Sequence, residues 1–257
     1  MPTIAGAWQG FCVSDRSRTD HVYTTHSLRR WHDGIVSLSH AFGPEEDWPD
    51  QDLVALSDDF SAGLVLEAYR AGVFPMPLSH SSFAARMGWW SPVRRAHLPL
   101  DELRVSRSLT KMAHRYTVTV DKDFGGVIAA CGDPSREGGW IDHDIQAVYG
   151  ELHRAGVVHS LETWDADGRL VGGLYGVSLG GLFAGESMFH DPAHGRDASK
   201  VALMELVRIL GYGGVPRLLD VQWLTPHLES LGAAEISRHD YLELLDIALD
   251  QPAPPWT

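Results

Sequence analysis

Three polar side chains interrupt apolar stretches in the second half of the chain, where they could do chemistry. Asp220 and Gln222 stand two residues apart in "LLDVQW", and Glu186 stands in "FAGESMF". Side chains two apart on a strand share a face, with their origins about 6–7 Å apart. Burial of an unpaired polar group is costly, so each of these groups needs a partner. The pair at 220 and 222 is either part of a structural hydrogen-bond network or a positioned polar pair in a cleft.

Glu186 is also either a structural or a functional polar group, and its side chain carries a full charge. It stands between Gly185 and Ser187 in a run that otherwise predicts a buried strand. Such a carboxylate is either one half of a buried ion pair with an Arg of the chain or the wall of a pocket that holds a cationic ligand.

A basic stretch lies between positions 94 and 115. It carries two acids and six basic residues, which are Arg94, Arg95, Arg104, Arg107, Lys111 and Arg115. The ordinary interpretation is a solvated helix face. Arg107, Lys111 and Arg115 recur every four residues, so on a helix they share one face.

Aromatic and imidazole side chains supply further candidates. Trp140, in "GGWIDHD", is either a packing residue or a flat surface for a nucleobase. His190 and His194, in "HDPAH", have no element to orient them and no further ligand at a suitable spacing. A zinc site is therefore not predicted there.

Composition limits the class of protein. The 257 residues suffice for one large or two small domains, and 44% hydrophobic with 21% charged content is typical of a soluble globular chain. We expect no membrane span and no signal peptide. Cys12 and Cys131 form no disulfide framework or zinc motif, so we expect a cytoplasmic protein. A net charge of −13 disfavours non-specific nucleic-acid binding over the whole surface but allows a local basic patch.

The first half of the chain alternates predicted helices with short strands. Residues 1–50 are polar and irregular, and "MGWWSPVRRAHLPL" predicts one strand ending in a loop. "YTVTVD" predicts another strand. Capping residues and apolar spacing predict helices at 61–72, 103–116, "DFGGVIAACGDP" and "DIQAVYGELHRAG".

The second half gives the order strand–strand–strand–helix–strand–helix–strand. Its segments are "VVHSLETWD", "RLVGGLYGVSL", "GGLFAGESMF", "SKVALMELVRIL", "RLLDVQWL", "TPHLESLG" and "AAEISRHDYLELL", the last a strand plus tail. This is an α+β pattern, and the order resembles the acyltransferase fold of GNAT type. No Q/R-x-x-G-x-G/A pyrophosphate loop precedes the helix at 199, which disfavours an acetyl-coenzyme A enzyme.

Several motifs occur together in an order that resembles the bacterial leucyl/phenylalanyl-tRNA–protein transferases, from about Leu56 to Tyr241. They are "AYRAGVFPM", "WWSPVRR", "SRSLTK", "GWI", "HSLETWDADGRLVGGLYGV", "FAGESMF", "SKVALMEL", "DVQW" and "HLESLGA". The resemblance implies a small N-terminal α/β domain, here 1–95, followed by a GNAT-like catalytic domain, here 96–257.

The resemblance also implies an activity. Members of this family move Leu, Phe or Met from charged tRNA to the N-terminal Arg or Lys of a protein, which marks that protein for degradation. Converting an ester to an amide is downhill, so we expect no coenzyme A, ATP or metal. The expected partners are aminoacyl-tRNA and an acceptor protein or peptide, with no membrane and a monomeric chain.

Site residues follow from the same resemblance, motif by motif. Asp220 and Gln222 match the catalytic polar pair, in which Asp220 orients Gln222 against the attacking amine. Glu186 matches the carboxylate near the basic side chain of the acceptor. Positions that match the aminoacyl pocket are Leu174, Phe183, Met188, Leu206, Leu210 and Leu219. Positions that match the adenosine site are Trp140 and Met76, where Met76 replaces the family's tryptophan. Positions that match the tRNA-binding helix are Arg107, Lys111 and Arg115.

Other departures leave alternatives open. "SDDF" stands at 57–60 where the family has Gly-Gly-Asp-Leu, and residues 1–50 have no family match. A tRNA-dependent aminoacyltransferase that modifies a small basic metabolite, as in antibiotic synthesis, is one alternative. An inactive tRNA- or peptide-binding module is another, although the intact Asp220, Gln222 and Glu186 argue against it.

The strand that carries Glu186 cannot be regular if these roles hold. Phe183, Gly185 and Glu186 cannot all point one way in a regular strand. We therefore expect a bend or bulge near Gly185.

Overall fold

A computed structural model describes residues 41–78, 87–136 and 139–256. The predictions for residues 1–40, including the irregular N-terminus and Cys12, lie outside these ranges. Among the described residues, no helix is both long and apolar enough to cross a bilayer.

The first layer is a three-stranded antiparallel sheet. Its strands are β1 (Leu53–Ser57), β2 (Phe74–Pro77) and β3 (Met87–Trp90), in the order β1-β3-β2. Helix α1 (Ala62–Arg70) connects β1 to β2. It begins where the Ser61 hydroxyl accepts a hydrogen bond from the N–H of Leu64, as its cap pattern predicts.

A seven-stranded sheet forms the larger layer, in the order β10-β4-β9-β8-β7-β6-β5. The strands are β4 (Arg94–His97), β5 (Thr117–Val120), β6 (Val158–Trp164), β7 (Leu170–Leu179), β8 (Leu182–His190), β9 (Leu218–Gln222) and β10 (Ala234–Ser237). The helices are α2 (Arg107–Ala113), α3 (Phe124–Cys131), α4 (His143–Arg154), α5 (Ala198–Leu210), α6 (Pro226–Leu231) and α7 (Arg238–Leu249). The mixed α and β content agrees with the predicted α+β class.

Strands β8 and β9 form the parallel pair of this sheet, and α5 crosses between them. Their pairing covers 182–184 against 218–220 and ends at Ala184 opposite Asp220. Glu186 and Gln222 each stand two residues beyond this last pair. They therefore face each other where the two strands stop hydrogen bonding.

Apolar packing covers both faces of the large sheet. One core unites the small sheet with α1, α3 and α4, and the other packs α5 and α6 against β6 to β9. A third, smaller group joins α7 to the ends of β8 and β9. The strands that carry the polar residues are thus held from both sides.

The helix predicted at 103–116 is wrong in extent, because α2 spans only Arg107–Ala113. The N–H of Arg104 donates to Leu231 O, at the end of α6, at 2.9 Å. The backbone at Arg104 is therefore bonded to α6 and not to a helix of its own. The N–H of Arg115 makes a turn bond to Met112 O, so Arg115 lies beyond the helix. The three basic residues therefore do not share one helical face.

Two other predictions need correction. "MGWWSPVRRAHLPL" forms two strands, β3 and β4, which belong to different sheets. The final "strand plus tail" is β10 followed by the twelve-residue helix α7, which begins where Ser237 Oγ accepts a hydrogen bond from the N–H of Asp240.

Close packing makes Gly176 intolerant of a side chain. A Cβ at this position in β7 would collide with the carbonyl oxygen of Ala184 and lie 2.5 Å from the Phe183 ring. We expect Gly176→Ala to lower the free energy of unfolding by about 1–3 kcal/mol, measured by urea denaturation.

Gly150 provides the matched control. It lies within α4, and the nearest atom to an added Cβ is 3.7 Å away. Gly150→Ala should raise the free energy of unfolding by about 0.5–1 kcal/mol, since alanine favours helix. A Gly176→Ala variant as stable as Gly150→Ala would contradict the packing described here.

Candidate active site

Glu186 occupies a β-bulge. Tyr175 on β7 pairs with Ser187, and the next residue, Gly176, pairs with Gly185, so Glu186 is the extra residue of β8. The irregularity expected near Gly185 is thus confirmed. The bulge releases Glu186 from the alternation of the strand and re-aims its side chain.

Hydrogen bonds from neutral groups hold the Glu186 carboxylate, which is only 6% exposed. The Gln222 amide donates to Oε1 at 3.2 Å, and the Tyr149 hydroxyl donates to Oε2 at 3.1 Å. The Tyr69 hydroxyl lies 2.8 Å from that of Tyr149. Within the described ranges, no Lys, Arg or His forms a salt bridge with Glu186, so the expected alternative of a buried ion pair does not hold there.

Burial changes the acidity of this group. The pKa of Glu186 is raised to about 7, chiefly by loss of solvent and also by the nearby Asp220 charge. Hydrogen bonds from Tyr69 and Tyr149, and the Arg95 charge, oppose the shift. Glu186 can therefore gain or lose a proton near neutral pH.

Asp220 has the opposite environment, because its charge is neutralised. Arg95 donates from Nε to Oδ1 at 2.8 Å and from Nη2 to Oδ2 at 2.6 Å. The Tyr241 hydroxyl donates to Oδ2 at 3.1 Å, and the backbone N–H of Gln222 donates to Oδ1 at 3.0 Å. Asp220 is 0% exposed. It is thus a fully paired internal carboxylate.

Arg95 is the cation of this pair and is itself enclosed. Its guanidinium lies 4.7 Å from the centre of the Phe74 ring and 4.3 Å from that of Tyr241. Its Nη1 donates to Gly72 O at 3.0 Å. Phe74 begins β2 and Gly72 lies two residues before it, so Arg95 links the small sheet to β9.

Gln222 ends β9 in a left-handed conformation, with φ at 59°. The left-handed conformation costs a residue with a Cβ roughly 1–2 kcal/mol. The hydrogen bond from the Gln222 N–H to Asp220 helps to hold Gln222 in this conformation. Sequence alternation placed the side chains of Asp220 and Gln222 together on one face. The structure instead has Asp220 hold the backbone of Gln222, while the amide side chain bonds to Glu186.

The six residues predicted for the aminoacyl pocket lie in or against one apolar cluster between the sheet and α5. Five are buried, and Met188 packs partly buried against them. Trp256 also packs here, with its ring centre 5.5 Å from that of Phe183. The Trp256 ring stacks on His159 at 4.3 Å.

The other predicted residues lie elsewhere. Trp140 and Met76 both pack, partly buried, against the core that contains α1, α3 and α4. Arg107, Lys111 and Arg115 are exposed. No carboxylate among the described residues pairs with these three cations.

Sequence patterns missed Arg95, Tyr69, Tyr149, Tyr241 and Trp256. The basic stretch predicts a solvated face that includes Arg95, yet Arg95 is 1% exposed, whereas the side chain of its neighbour Arg94 is 61% exposed. Alternation in a short strand could have indicated that one of two adjacent arginines faces inward. The tyrosines carry no signal, because a core tyrosine and a site tyrosine have the same local pattern.

Among residues 41–78, 87–136 and 139–256, no group of three or more His, Cys, Asp or Glu side chains is arranged to hold an ion. Cys131 is buried as a free thiol, and burial raises its pKa to about 11.

Comparisons with known proteins agree on one family. The model for leucyl/phenylalanyl-tRNA protein transferase matches residues 97–246, and that for the N-terminal domain of this transferase matches residues 58–93. The chain is 52% identical to the leucyl/phenylalanyl-tRNA–protein transferase of Rhizorhabdus wittichii over 72% of this chain and 74% of that protein. It is 52% identical to that of a Ruegeria species over 75% and 88%, and 42% identical to that of Methylibium petroleiphilum over 88% and 84%.

Among solved structures, L-PGS from Bacillus licheniformis aligns with a TM-score of 0.33 and 12% identity. The alignment covers 69% of this chain and 57% of that chain. A similarity this low supports no conclusion about fold or function.

The raised pKa of Glu186 predicts a pH-dependent cost to stability. The folded state holds this proton more tightly than the unfolded state, whose carboxyl has the ordinary value of 4.5. Stability is therefore lost as pH rises from that value through about 7. Glu186→Gln should be more stable than the wild type by about 3 kcal/mol at pH 8 but by under about 1 kcal/mol at pH 5.

Urea denaturation at the two pH values measures this difference. Glu151→Gln is the matched control, since Glu151 is an exposed residue of α4. It should change stability by less than about 0.5 kcal/mol at both pH values. A stability gain for Glu186→Gln that is the same at pH 5 and pH 8 would contradict the proposed acidity.

Proposed function

The chain belongs to the leucyl/phenylalanyl-tRNA protein transferase family, and we propose that it moves Leu, Phe or Met from charged tRNA to the N-terminal Arg or Lys of a protein. As a member of this family it is an aminoacyl-tRNA–protein transferase, an acyltransferase. The relatives are named protein transferases, which supports a protein acceptor over a small basic metabolite.

One observation carries the residue assignment. Glu186 is a buried carboxylate re-aimed by a bulge, and no described cation forms a salt bridge with it. Its amide neighbour Gln222 stands at the end of β9. A buried carboxylate gains most from a cationic partner, and the N-terminal residue of an Arg or Lys acceptor supplies one. We assign acceptor binding to Glu186 and positioning of the acceptor amine to Gln222, which Asp220 holds.

The donor would bind beside this pair. Its side chain enters the apolar cluster of Leu174, Phe183, Met188, Leu206, Leu210 and Leu219. Met188 and Leu174, paired across β8 and β7, lie nearest in sequence to the bulge. Trp140 and Met76 would hold the terminal adenosine, and Arg107, Lys111 and Arg115 would contact tRNA phosphates.

The proposed reaction uses no coenzyme A, ATP or metal. An aminoacyl ester already carries the free energy that amide formation requires. The attacking α-amine has a pKa near 8, so a substantial neutral fraction exists at neutral pH. The site then has to orient the amine and handle one proton.

The finer description of the fold also remains a proposal. The succession β6-β7-β8-α5-β9-α6-β10, with a single crossover to a parallel strand, supports a GNAT-like catalytic domain. The chain would consist of two domains, residues 1–95 and 96–257. Strand β4 would cross this boundary and belong to the seven-stranded sheet. A cytoplasmic location and a monomeric state complete the proposal, and transfer would mark the acceptor for degradation.

A transfer assay tests the proposed function. Purified protein is supplied with Leu-, Phe- or Met-tRNA and a peptide that begins with Arg, or a matched peptide that begins with Ala. We expect transfer to the Arg peptide and at least tenfold less to the Ala peptide. Absence of transfer to the Arg peptide from all three donors would refute the proposal.

Salt dependence tests the basic residues. Arg107→Ala combined with Lys111→Ala should weaken tRNA binding and lower the slope of log affinity against log salt by about one unit per lost phosphate contact. Arg169→Ala is the control, because Arg169 is exposed but paired with Asp167 in a turn. A double variant with the slope of the wild type would remove these residues from the tRNA interface.

A further inference from the structure

We propose that Trp256, in the tail that follows α7, closes the inner end of the aminoacyl pocket and limits the size of the donor side chain. The inference rests on the proposed function, because it names a determinant of the donor in the same transfer reaction. Trp256 lies beyond the matched family model, which ends at residue 246. It is also not among the six positions that the family resemblance gives to the pocket.

The proposed pocket has an entrance and an inner end along β7. Leu174, Gly176 and Ser178 are two residues apart, so they share the face of the sheet that α5 covers. Met188 stands opposite Leu174, in the row next to the bulge of β8, and Phe183 stands opposite Ser178. A donor side chain that enters between Leu174 and Met188 therefore meets Phe183 further in.

The ring of Phe183 forms this inner end and has two close neighbours. It lies over Gly176, where an added Cβ would be 2.5 Å from the ring. It also contacts Trp256, with the ring centres 5.5 Å apart and the planes inclined at 45°. Phe183 is fully buried, so its ring can shift only into space that a neighbour leaves. The depth of the pocket thus depends on Trp256.

His159 holds the indole of Trp256 in place. The two rings stack with their centres 4.3 Å apart and their planes inclined at 18°. His159 pairs with Gly176 across β6 and β7, which places Trp256 level with the Phe183 ring. His159 Nδ1 lies 2.6 Å from Asp121 Oδ2, and this contact orients the imidazole. Contacts therefore run from the edge of the sheet through the imidazole and the indole to Phe183.

The backbone of the tail is anchored before it reaches these rings. The N–H of Gln251 donates to Ala248 O at 3.0 Å, which turns the chain at the end of α7. Arg217, just before β9, donates from Nη1 to Pro252 O at 2.7 Å. Pro254 is buried. The tail is thus tied to both α7 and the start of β9.

The indole of Trp256 contributes its size and its flat faces. Its N–H is buried and has no hydrogen-bond partner among the described residues. An unpaired buried N–H is unfavourable, so the hydrogen-bonding group gives no stability here. Truncation of Trp256 therefore removes volume beside Phe183 without breaking a hydrogen bond.

Loss of this volume should favour a long donor side chain over a short one. Without the indole, the Phe183 ring can move toward His159, and the pocket becomes deeper. Phenylalanine can fill the added depth, whereas leucine leaves it empty. A single methylene in an apolar pocket changes the rate about 10- to 200-fold, so the donor preference should respond measurably. Trp256 acts through Phe183 and is in this sense a positioning residue.

The test measures kcat/KM for Phe-tRNA and for Leu-tRNA at a saturating concentration of the Arg-initiated peptide. Trp256→Ala should raise the ratio of Phe to Leu at least about fivefold, chiefly through poorer use of Leu-tRNA. Trp256→Phe keeps a smaller ring and should give an intermediate ratio. The same two tRNAs are used with every variant, so contributions from the tRNA bodies cancel when the ratios are compared.

Trp164→Ala is the matched control, because Trp164 is a partly buried tryptophan of the same sheet. Its ring contacts Lys122, and its indole N–H donates to Thr119 at 2.8 Å. This variant should keep the ratio within about twofold of the wild type, since Trp164 does not pack against the pocket cluster. Thermal unfolding of each variant shows whether it is folded at the assay temperature.

A merely structural role for Trp256 gives a different result. Both rates would then fall together, and the ratio for Trp256→Ala would stay within about twofold of the wild type. That outcome, or a ratio that falls, would overturn the inference. Failure of the proposed function is distinguishable, because the wild type would then transfer neither donor to the Arg peptide.

Discussion

The buried ion pair between Arg95 and Asp220 is the interaction on which the rest of the site depends. Each group lies within hydrogen-bond distance of the other at two points, and neither is more than 1% exposed. A pair enclosed in this way is costly to break from one side, because the remaining charge has no solvent. The Phe74 ring and the bond to Gly72 O tie the pair to the small sheet and the residues that lead into it, and the Tyr241 ring ties it to α7.

Because of this pairing, two carboxylates that lie close together have different partners, a cation for one and neutral donors for the other. Asp220 is paired with the Arg95 guanidinium, while Glu186 is surrounded by neutral donors and its pKa is raised to about 7. The bulge at Glu186 and the end of the β8–β9 pairing place Glu186 beside Gln222. Without Arg95, two buried negative charges would compete at this point of the sheet, and Gln222 would lose the group that holds its left-handed backbone.

Local sequence patterns predict a structural feature correctly where interactions between nearby residues determine it. The caps at Ser61 and Gly132 and the period of α5 follow from steric and capping rules that span a few residues, whereas the bulge near Gly185 follows from the roles that the family resemblance gives to Phe183 and Glu186. The predicted element bounds are wrong where the backbone of a segment bonds to a partner that is distant in sequence. Helix α2 starts late because Arg104 bonds to the end of α6, and the "WWSPVRR" segment divides between two sheets.

By itself, the sequence determined the family, the α+β class, the order of the elements and the three polar residues at 186, 220 and 222. Only the tertiary structure decided which partners those residues have and how their burial affects their acidity. Arg95 and Asp220 stand 125 positions apart, and Tyr149 stands 37 before Glu186. Burial and hydrogen-bond partners set the proton affinity of a carboxylate, and both are properties of neighbours in space. No local pattern could therefore distinguish the neutralised carboxylate from the one that titrates.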